Sequence, residues 1–590
     1  MSLNKNTRPP RKLPEACENV SESGSIFARM NEFPRRSTVD ENAVSHIEEK
    51  ASQSKNKPEK LQWLKNAGLG LFVHYSLDVQ LGVVISHTLV GASKDYTDRY
   101  FNDLSPTFNP KNFDADELAR LAKACGFSYV VFTAKHHNGF CFWDTKTCDF
   151  NIMNTPYKKD LLLDYVTALR KYDLKVGLYF SPEDFYFLYK NGLLITRNPT
   201  EPYAPDIMER YNQYADAQLT ELLTNYGDID LIFYDGMPLS PQQYCVDRSW
   251  ELQENILVTR GAIKTPEQHL PGIIDHSEEP WEACLTMGTA WQYQPTNENY
   301  KSAGKLLKIL TQTRATGGTM LLNIGLNSNG DIPQMQDDIL REFGAWNFIN
   351  KEAICNTRPW IVTNENDIWY VKSNEENALY AVIQGGGKWN RGDRKNFILK
   401  SVKATEKTEL SVLGQSSELT EYNPSKDVSC SYKNTDAGLE ISIAHAQRIY
   451  CGSTWPNPIV AKITNVIPAY TPMVILNNKN KAARKANLRV SQSDLQNKKL
   501  TNEDAVFSAS VESMGSFKEA YVYFAYRKYP GFANALSDEP YTETKKIKIT
   551  KAGDVSLSMD GLERDIMYQY KPVAECNGIC FYGDEAMVML

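Results

Sequence analysis

The sequence predicts an α/β protein, a (β/α)8-like TIM barrel followed by β-sandwich domains. Three observations carry that reading. Apolar strands alternate with amphipathic helices over about 290 residues, the grammar and length of a parallel α/β barrel. Polar or aromatic residues recur at the carboxyl ends of successive strands, at His74, His136, His137, Tyr179, Asp235, Arg260 and Asn323. Beyond Trp360 the pattern changes to short alternating strands separated by Gly, Asn and Lys turns. A doubly wound open sheet is the competitor, but it would gather its ligand residues at one switch point rather than around a ring of strand ends.

Residues 1–57 are rich in Ser, Asn, Lys, Glu and Pro without a sustained apolar period, so they read as an arm or linker. The barrel is expected over 58–357. Its first strand is Leu69-Gly-Leu-Phe-Val-His74. The stretch from Phe113 to Cys125 puts Leu118, Leu121 and Ala122 on one helical face, with acids in the first turn and Gly126 at the stop. Phe127 to Thr133 is a buried strand leading into Lys135-His136-His137. Leu161 to Tyr172 reads as helix, Leu174 to Pro182 as the third strand, and Ile207 to Tyr226 as a longer amphipathic helix. The run Ile229 to Tyr234 then delivers Asp235 onto a glycine. Further strands are expected at Ile256 to Arg260 and Gly318 to Gly325, the latter after a helix from Lys301 to Arg314.

An antiparallel sandwich is expected over 358–470, from the alternating segments at Ile368, Ala378, Glu409 and Gly438. A second all-β unit is expected over 471–590. There the Tyr-x-Tyr pattern after Gly561-Leu562 resembles the fibronectin type III layout.

The chain has 590 residues, more than one hydrophobic core usually serves, and its 42% hydrophobic content supports several cores. With 65 basic against 72 acidic residues and no long basic run, nucleic acid and anionic membrane surfaces are poor partners. No stretch approaches the roughly 20 apolar residues of a membrane span. Residues 1–30 lack a signal peptide's apolar core, which leaves two readings. The chain is cytoplasmic, or it is periplasmic or secreted with its signal removed. Met1-Ser2-Leu3, in the style of an expression scar, tips the expectation to the second. Eleven scattered cysteines do not describe a disulfide framework, and Cys576 and Cys580 are either a pair or two core thiols. Oligomeric state is not legible.

Asp235 either caps a turn or is a catalytic carboxylate at a barrel strand's carboxyl end. His136 and His137 invite a metal reading, but neighbouring side chains on an extended chain point to opposite faces and no HxxxH or Cys/His spacing accompanies them. Neither metal nor cofactor is therefore expected, and imidazoles that hold sugar hydroxyls explain the strand ends better. A retaining glycosidase needs two carboxyls about 5–5.5 Å apart. Beyond Asp235 the candidates for the second are loop glutamates: Glu267, and then Glu278, Glu279 and Glu282. Trp143, Trp281 and Trp291 are available as apolar faces for a sugar ring.

Several motifs stand in register. They are Leu71-Phe-Val-His74, Tyr129 to Phe140 with its Lys-His-His-Asn-Gly, Gly177-Leu-Tyr-Phe-Ser-Pro182, Leu231-Ile-Phe-Tyr-Asp-Gly236, Trp281-Glu282 and Gly317 to Gly325. Together they resemble the α-L-fucosidases of glycoside hydrolase family 29, in family order across about 60–360. The resemblance implies a retaining double displacement on terminal α-L-fucose of a fucosylated oligosaccharide or glycoconjugate. It places Asp235 at the nucleophile position and Glu267 best at the acid/base, with Glu282 in reserve. It further implies that His74, His136, His137, Tyr179 and Arg260 hold fucose hydroxyls and that Trp291 flands the methyl side of the ring.

The chain also departs from the pattern. Tyr75-Ser76 stands where many relatives have Trp-Gly, and Asn138 where many have Asp. No Glu-Trp pair between residues 76 and 112 matches the family's sugar-clamping pair, leaving His87, Lys94-Asp95-Tyr96 or nothing in that role. A non-catalytic fucose-binding protein on the same barrel is therefore the alternative reading.

Overall fold

The computed structural model describes residues 54–589 apart from 198–201, 237–239, 272–273, 275–278, 385–388, 417–424, 450–455, 479–505, 531–535, 537–538, 560–561 and 564–565. The expectations for 1–53 and for Glu278 lie outside the described residues.

Seven strands form the central sheet: β1 (Leu69–His74), β2 (Tyr129–Lys135), β3 (Lys175–Phe180), β4 (Leu231–Tyr234), β5 (Leu257–Val258), β6 (Glu282–Thr286) and β7 (Thr319–Gly325). They run in the order β5-β4-β3-β2-β1-β7-β6, and every pairing is parallel. β1, β2, β4 and β7 are buried along their whole length, as strands must be when helices cover one face and a barrel interior the other. The expected helices are present. Asp114, Asp160 and Ser302 cap Ala115–Ala124, Leu161–Lys171 and Ala303–Ala315 by accepting from the backbone N–H three residues on.

The edges β5 and β6 do not pair directly; residues 264–268 fill the gap between them. This segment follows β5 through a tight turn at Gly261, φ +105°, with no helix between. It joins β6 by hydrogen bonds from Glu282 N to Lys264 O (3.1 Å), Cys284 N to Pro266 O (3.1 Å) and Gln268 N to Cys284 O (3.0 Å). Pro266 removes one donor, and Gln268 at φ +53° bends the chain, so the ladder stays short. Trp281-Glu282, read from the sequence as loop, opens a strand instead. Its partners are β7 and this seam, both remote in sequence from the local polar cluster that suggested a loop.

Phe72, Val131, Tyr179, Leu231, Phe233 and Leu321 help fill the barrel. Helix Pro58–Ala67 adds Trp63 and Leu64 at the amino end, with the Trp63 and Tyr129 ring centroids 5.6 Å apart. A Cβ on Gly70 would lie 2.2 Å from the Tyr129 ring, so only glycine lets that ring into the interior.

Beyond the barrel the described residues form β-sheets. A five-stranded and a three-stranded antiparallel sheet span Thr357–Pro468; a three-stranded and a six-stranded sheet span Val474–Met589. Lys400 Nζ donates to Asn577 O and Gly578 O, tying the later sheets to the earlier ones. Cys576 and Cys580 are free thiols. Among the described residues no helix is long and apolar enough to cross a membrane.

Candidate active site

The carboxyl-terminal ends of the strands converge on Asp235, which follows β4 and is 24% exposed. Its Oδ2 accepts a hydrogen bond from Tyr179 Oη of β3 at 2.9 Å and lies 3.5 Å from His137 Nε2. Its Oδ1 lies 3.6 Å from Arg260 Nη1. Burial pushes the carboxyl up, but Arg260, Arg197, His136 and the Tyr179 hydroxyl outweigh it and hold Asp235 below the usual carboxylate range. It is an ionised, accessible carboxylate on a rigid sheet.

Three buried imidazoles surround it. They are kept neutral chiefly by burial: His74 is pushed down to about 4, and His136 and His137 lie well below the usual imidazole value. Their outer partners fix the tautomers. Asn323 gives its Nδ2 hydrogen to Trp291 O, so its Oδ1, 2.6 Å from His74 Nδ1, must accept and His74 Nε2 is left an acceptor. Ser181 gives its one hydroxyl hydrogen to Glu183 O, so His137 Nδ1 donates to it at 2.6 Å and His137 Nε2 is also an acceptor. Ser86 Oγ accepts from Asn138 N and lies 2.7 Å from His136 Nδ1. The site thus presents the acceptor nitrogens of His74 and His137, with His136 beside them, to a polyhydroxylated ligand. Sequence reasoning placed His136 and His137 on opposite faces of an extended chain. They lie in the turn after β2 instead, with ring centroids 4.3 Å apart.

Arg260 links the two candidate carboxyls. Its Nη2 is 2.8 Å from Glu267 Oε2 while Nη1 faces Asp235, and its guanidinium carbon lies 4.7 Å from the Phe233 ring centroid. Glu267, on the seam, is 20% exposed. Glu282 is elsewhere: fully buried at the amino end of β6, it accepts a hydrogen bond from Tyr129 Oη, and its Oε1 makes none. Trp291 stands beside His74, ring centroids 5.0 Å apart, whereas Trp143 and Trp281 are core residues.

Burial is the main cause that raises Glu282 to about 7, against the opposing effects of Tyr129 and Arg260. A carboxyl raised in this way takes up a proton on folding. Its contribution to stability is complete below the unfolded value and is lost as pH rises through about 7. Glu282→Gln is therefore expected to gain thermal stability over the wild type at pH 8 but not at pH 5. Thermal midpoints across pH check it; a pH-independent difference would refute the buried neutral acid.

Three residues of the site were missed or left open by the sequence. Glu183 is buried, with Oε2 3.4 Å from His137 Nδ1 and 3.2 Å from Arg197 Nε. Burial pushes it to about 7, with Asp235 adding and Arg197 opposing. Arg197 acts electrostatically on Asp235 from a loop with no motif to mark it. His87 lies against His137 and His136, at 5.9 and 6.4 Å between centroids, and is the one of the two substitutes considered that reaches the site. Lys94 and Asp95 instead pair with Asp98 and Arg99 along their own helix, and Tyr96 bonds Thr88. Two departures from the family pattern touch each other: Asn138 Nδ2 donates to Ser76 Oγ at 2.7 Å.

Among the described residues, His136, His137 and Asp235 are the one group of His, Cys, Asp and Glu positioned to hold a metal, with ligand atoms within 4.8 Å of one another. The positive charges of Arg260 and Arg197 acting on Asp235 work against a cation there. A neutral polyol suits the arrangement better.

A family model described as alpha-L-fucosidase matches residues 37–352. Tissue alpha-L-fucosidase of Mus musculus is 30% identical over 345 residues, 54% of this chain and 73% of that protein. A putative alpha-L-fucosidase of Caenorhabditis elegans is 28% identical over 358 residues, 55% of this chain and 73% of that one. Among solved structures, alpha-L-fucosidase isoenzyme 1 from Paenibacillus thiaminolyticus aligns with a TM-score of 0.56 at 27% identity, covering 69% of this chain and 98% of its own. The alpha-L-fucosidase from Vibrio sp. strain EJY3 aligns over 88% of this chain and 99% of its own, with a TM-score of 0.61 at 20% identity, a likeness of fold.

Proposed function

Because the chain belongs to the α-L-fucosidase family, a family of glycoside hydrolases that release fucose, we propose that it hydrolyses terminal α-L-fucosides of fucosylated glycans by a retaining double displacement. The observation that carries this reading is one guanidinium, Arg260, in contact with both an ionised Asp235 and Glu267. One guanidinium thus brings to a single site the two carboxyls that a nucleophile and an acid/base require.

Asp235 attacks the anomeric carbon and Glu267 protonates the departing glycosidic oxygen, giving a covalent fucosyl-enzyme. Glu267 then takes a proton from water, which releases fucose with its original anomeric configuration. Tyr179 donates to Asp235 Oδ2 and so helps to orient it for attack. In this reading His74 and His137 accept hydrogens from fucose hydroxyls, His136 hydrogen-bonds another, and Trp291 faces the ring's methyl side.

Proton NMR of an aryl α-L-fucoside during hydrolysis tests the reading. The α-anomer of fucose is expected first, with the β-anomer appearing only by mutarotation. The β-anomer first would overturn the retaining mechanism. Fucose binding by calorimetry with no release from any fucoside would replace the enzyme by a binding protein.

A further inference from the structure

Two residues after Glu267 the His269 side chain leaves the barrel and meets the C-terminal β unit. Its Nδ1 lies 3.7 Å from Oε2 of Glu585, longer than a hydrogen bond. Glu585 follows the strand Ile579–Tyr582 and is only 11% exposed. Its carboxylate is rigidly built: Tyr541 Oη and Gln569 Nε2 donate to it, and Lys571 Nζ lies 3.6 Å away. Arg527 Nε donates to Gln569 Oε1 at 2.9 Å, which turns the Gln569 amide nitrogen toward Glu585. Burial works against the charge, but Lys571, His269, Tyr541 and Arg527 together hold Glu585 below the usual carboxylate range.

The backbone that delivers Glu585 is equally constrained. Gly583 N donates to Pro572 O at 2.9 Å, and a Cβ on Gly583 would come within 2.5 Å of the Pro572 ring. Lys400 roots this unit on the preceding sheets. On the barrel side three consecutive residues have three separate anchors. Glu267 meets Arg260, Gln268 donates to Thr286 Oγ1 at 2.8 Å, and His269 meets Glu585.

We propose that Glu585 is a positioning residue for the general acid/base: by holding His269 it fixes the exit of the segment that carries Glu267, which makes the C-terminal β unit a working part of the hydrolytic site. This rests on the assignment of Glu267 above. A displacement of about 1 Å at a reacting group costs up to about a hundredfold in rate, so a contact two residues away has leverage.

The test compares two substrates in the full-length protein. α-L-Fucosyl fluoride has a leaving group that needs no protonation; a fucosylated disaccharide has one that does. Glu585→Gln is expected to lower kcat/KM on the disaccharide by about tenfold or more while kcat/KM on the fluoride stays within about twofold. His269→Ala, which leaves the C-terminal unit's own contacts intact, is expected to show the same selective loss, the double variant no more than either alone, and Glu585→Asp partial recovery. Equal losses on both substrates, or none on either, would overturn the proposal. Glu267→Gln on the same pair separates the two claims. If it shows no leaving-group dependence, the acid/base assignment fails. If it does and the Glu585 and His269 variants do not, only the positioning role fails.

Discussion

Asp235→Ala is expected to lower kcat on an aryl α-L-fucoside by about ten-thousandfold or more with the fold intact, the scale seen when a covalent nucleophile is removed. Asp235 sits at the end of a buried strand and contributes little to packing, so circular dichroism and the thermal midpoint should change little. Azide makes the experiment diagnostic. A small anion entering the vacated space attacks the anomeric carbon from the nucleophile's side, so the expected product is fucosyl azide of inverted configuration. Full hydrolytic activity in the variant would end the assignment.

Glu267→Ala carries the second-largest expected effect, and its size depends on the leaving group. Loss of general acid catalysis costs about 10²–10⁴-fold on substrates with a poor leaving group and much less on an activated aryl fucoside. With the activated substrate, hydrolysis of the fucosyl-enzyme becomes the slow step. Azide then needs no general base and should restore turnover, giving fucosyl azide of retained configuration. The two variants therefore yield opposite anomers, and an identical product from both would mean the roles are misassigned. Part of the loss in Glu267→Ala has a second origin, since Arg260 is left with Asp235 as its only close carboxylate partner among these two.

The residues that sequence reasoning reached are those whose position is set locally. His74, Tyr179 and Asp235 each end an apolar run that can only be a buried strand, so a ring of polar groups at one end of a barrel follows from pattern alone. Glu267 and Glu282 were not separable in that way. Both lie near Pro and polar residues, and what distinguishes them is pairing with partners far along the chain. Glu282 falls at the start of a strand and is sealed under Tyr129; Glu267 falls on the seam that returns to Arg260. Arg197 and Glu183 are harder still. An arginine in a loop and a glutamate after Ser-Pro read as solvent-facing, and only the closing of the sheet brings them to His137 and Asp235. The contact between Ser76 and Asn138 shows the converse. Two apparent departures, separate in sequence, are one adjustment: a hydroxyl and an amide now satisfy each other in a buried position.

The seam at residues 264–268 gives the barrel an uneven resistance to opening. β1 and β2 share a continuous parallel ladder with β7 and β3 on either side, so their amides are released only when the barrel as a whole comes apart. The seam's backbone is joined to β6 by three hydrogen bonds and follows β5 through a turn at Gly261, with side-chain contacts of Glu267 and Gln268 beside them. It can part while the rest of the sheet stays closed. The two proposed catalytic carboxyls therefore belong to different cooperative units, Asp235 to the rigid wall and Glu267 to the one gap in it. Parting of that gap changes the distance between them and breaks the contact of Glu267 with Arg260. Heat or mild denaturant would then silence hydrolysis before any loss of secondary structure registers, with His74, His136 and His137 still in place.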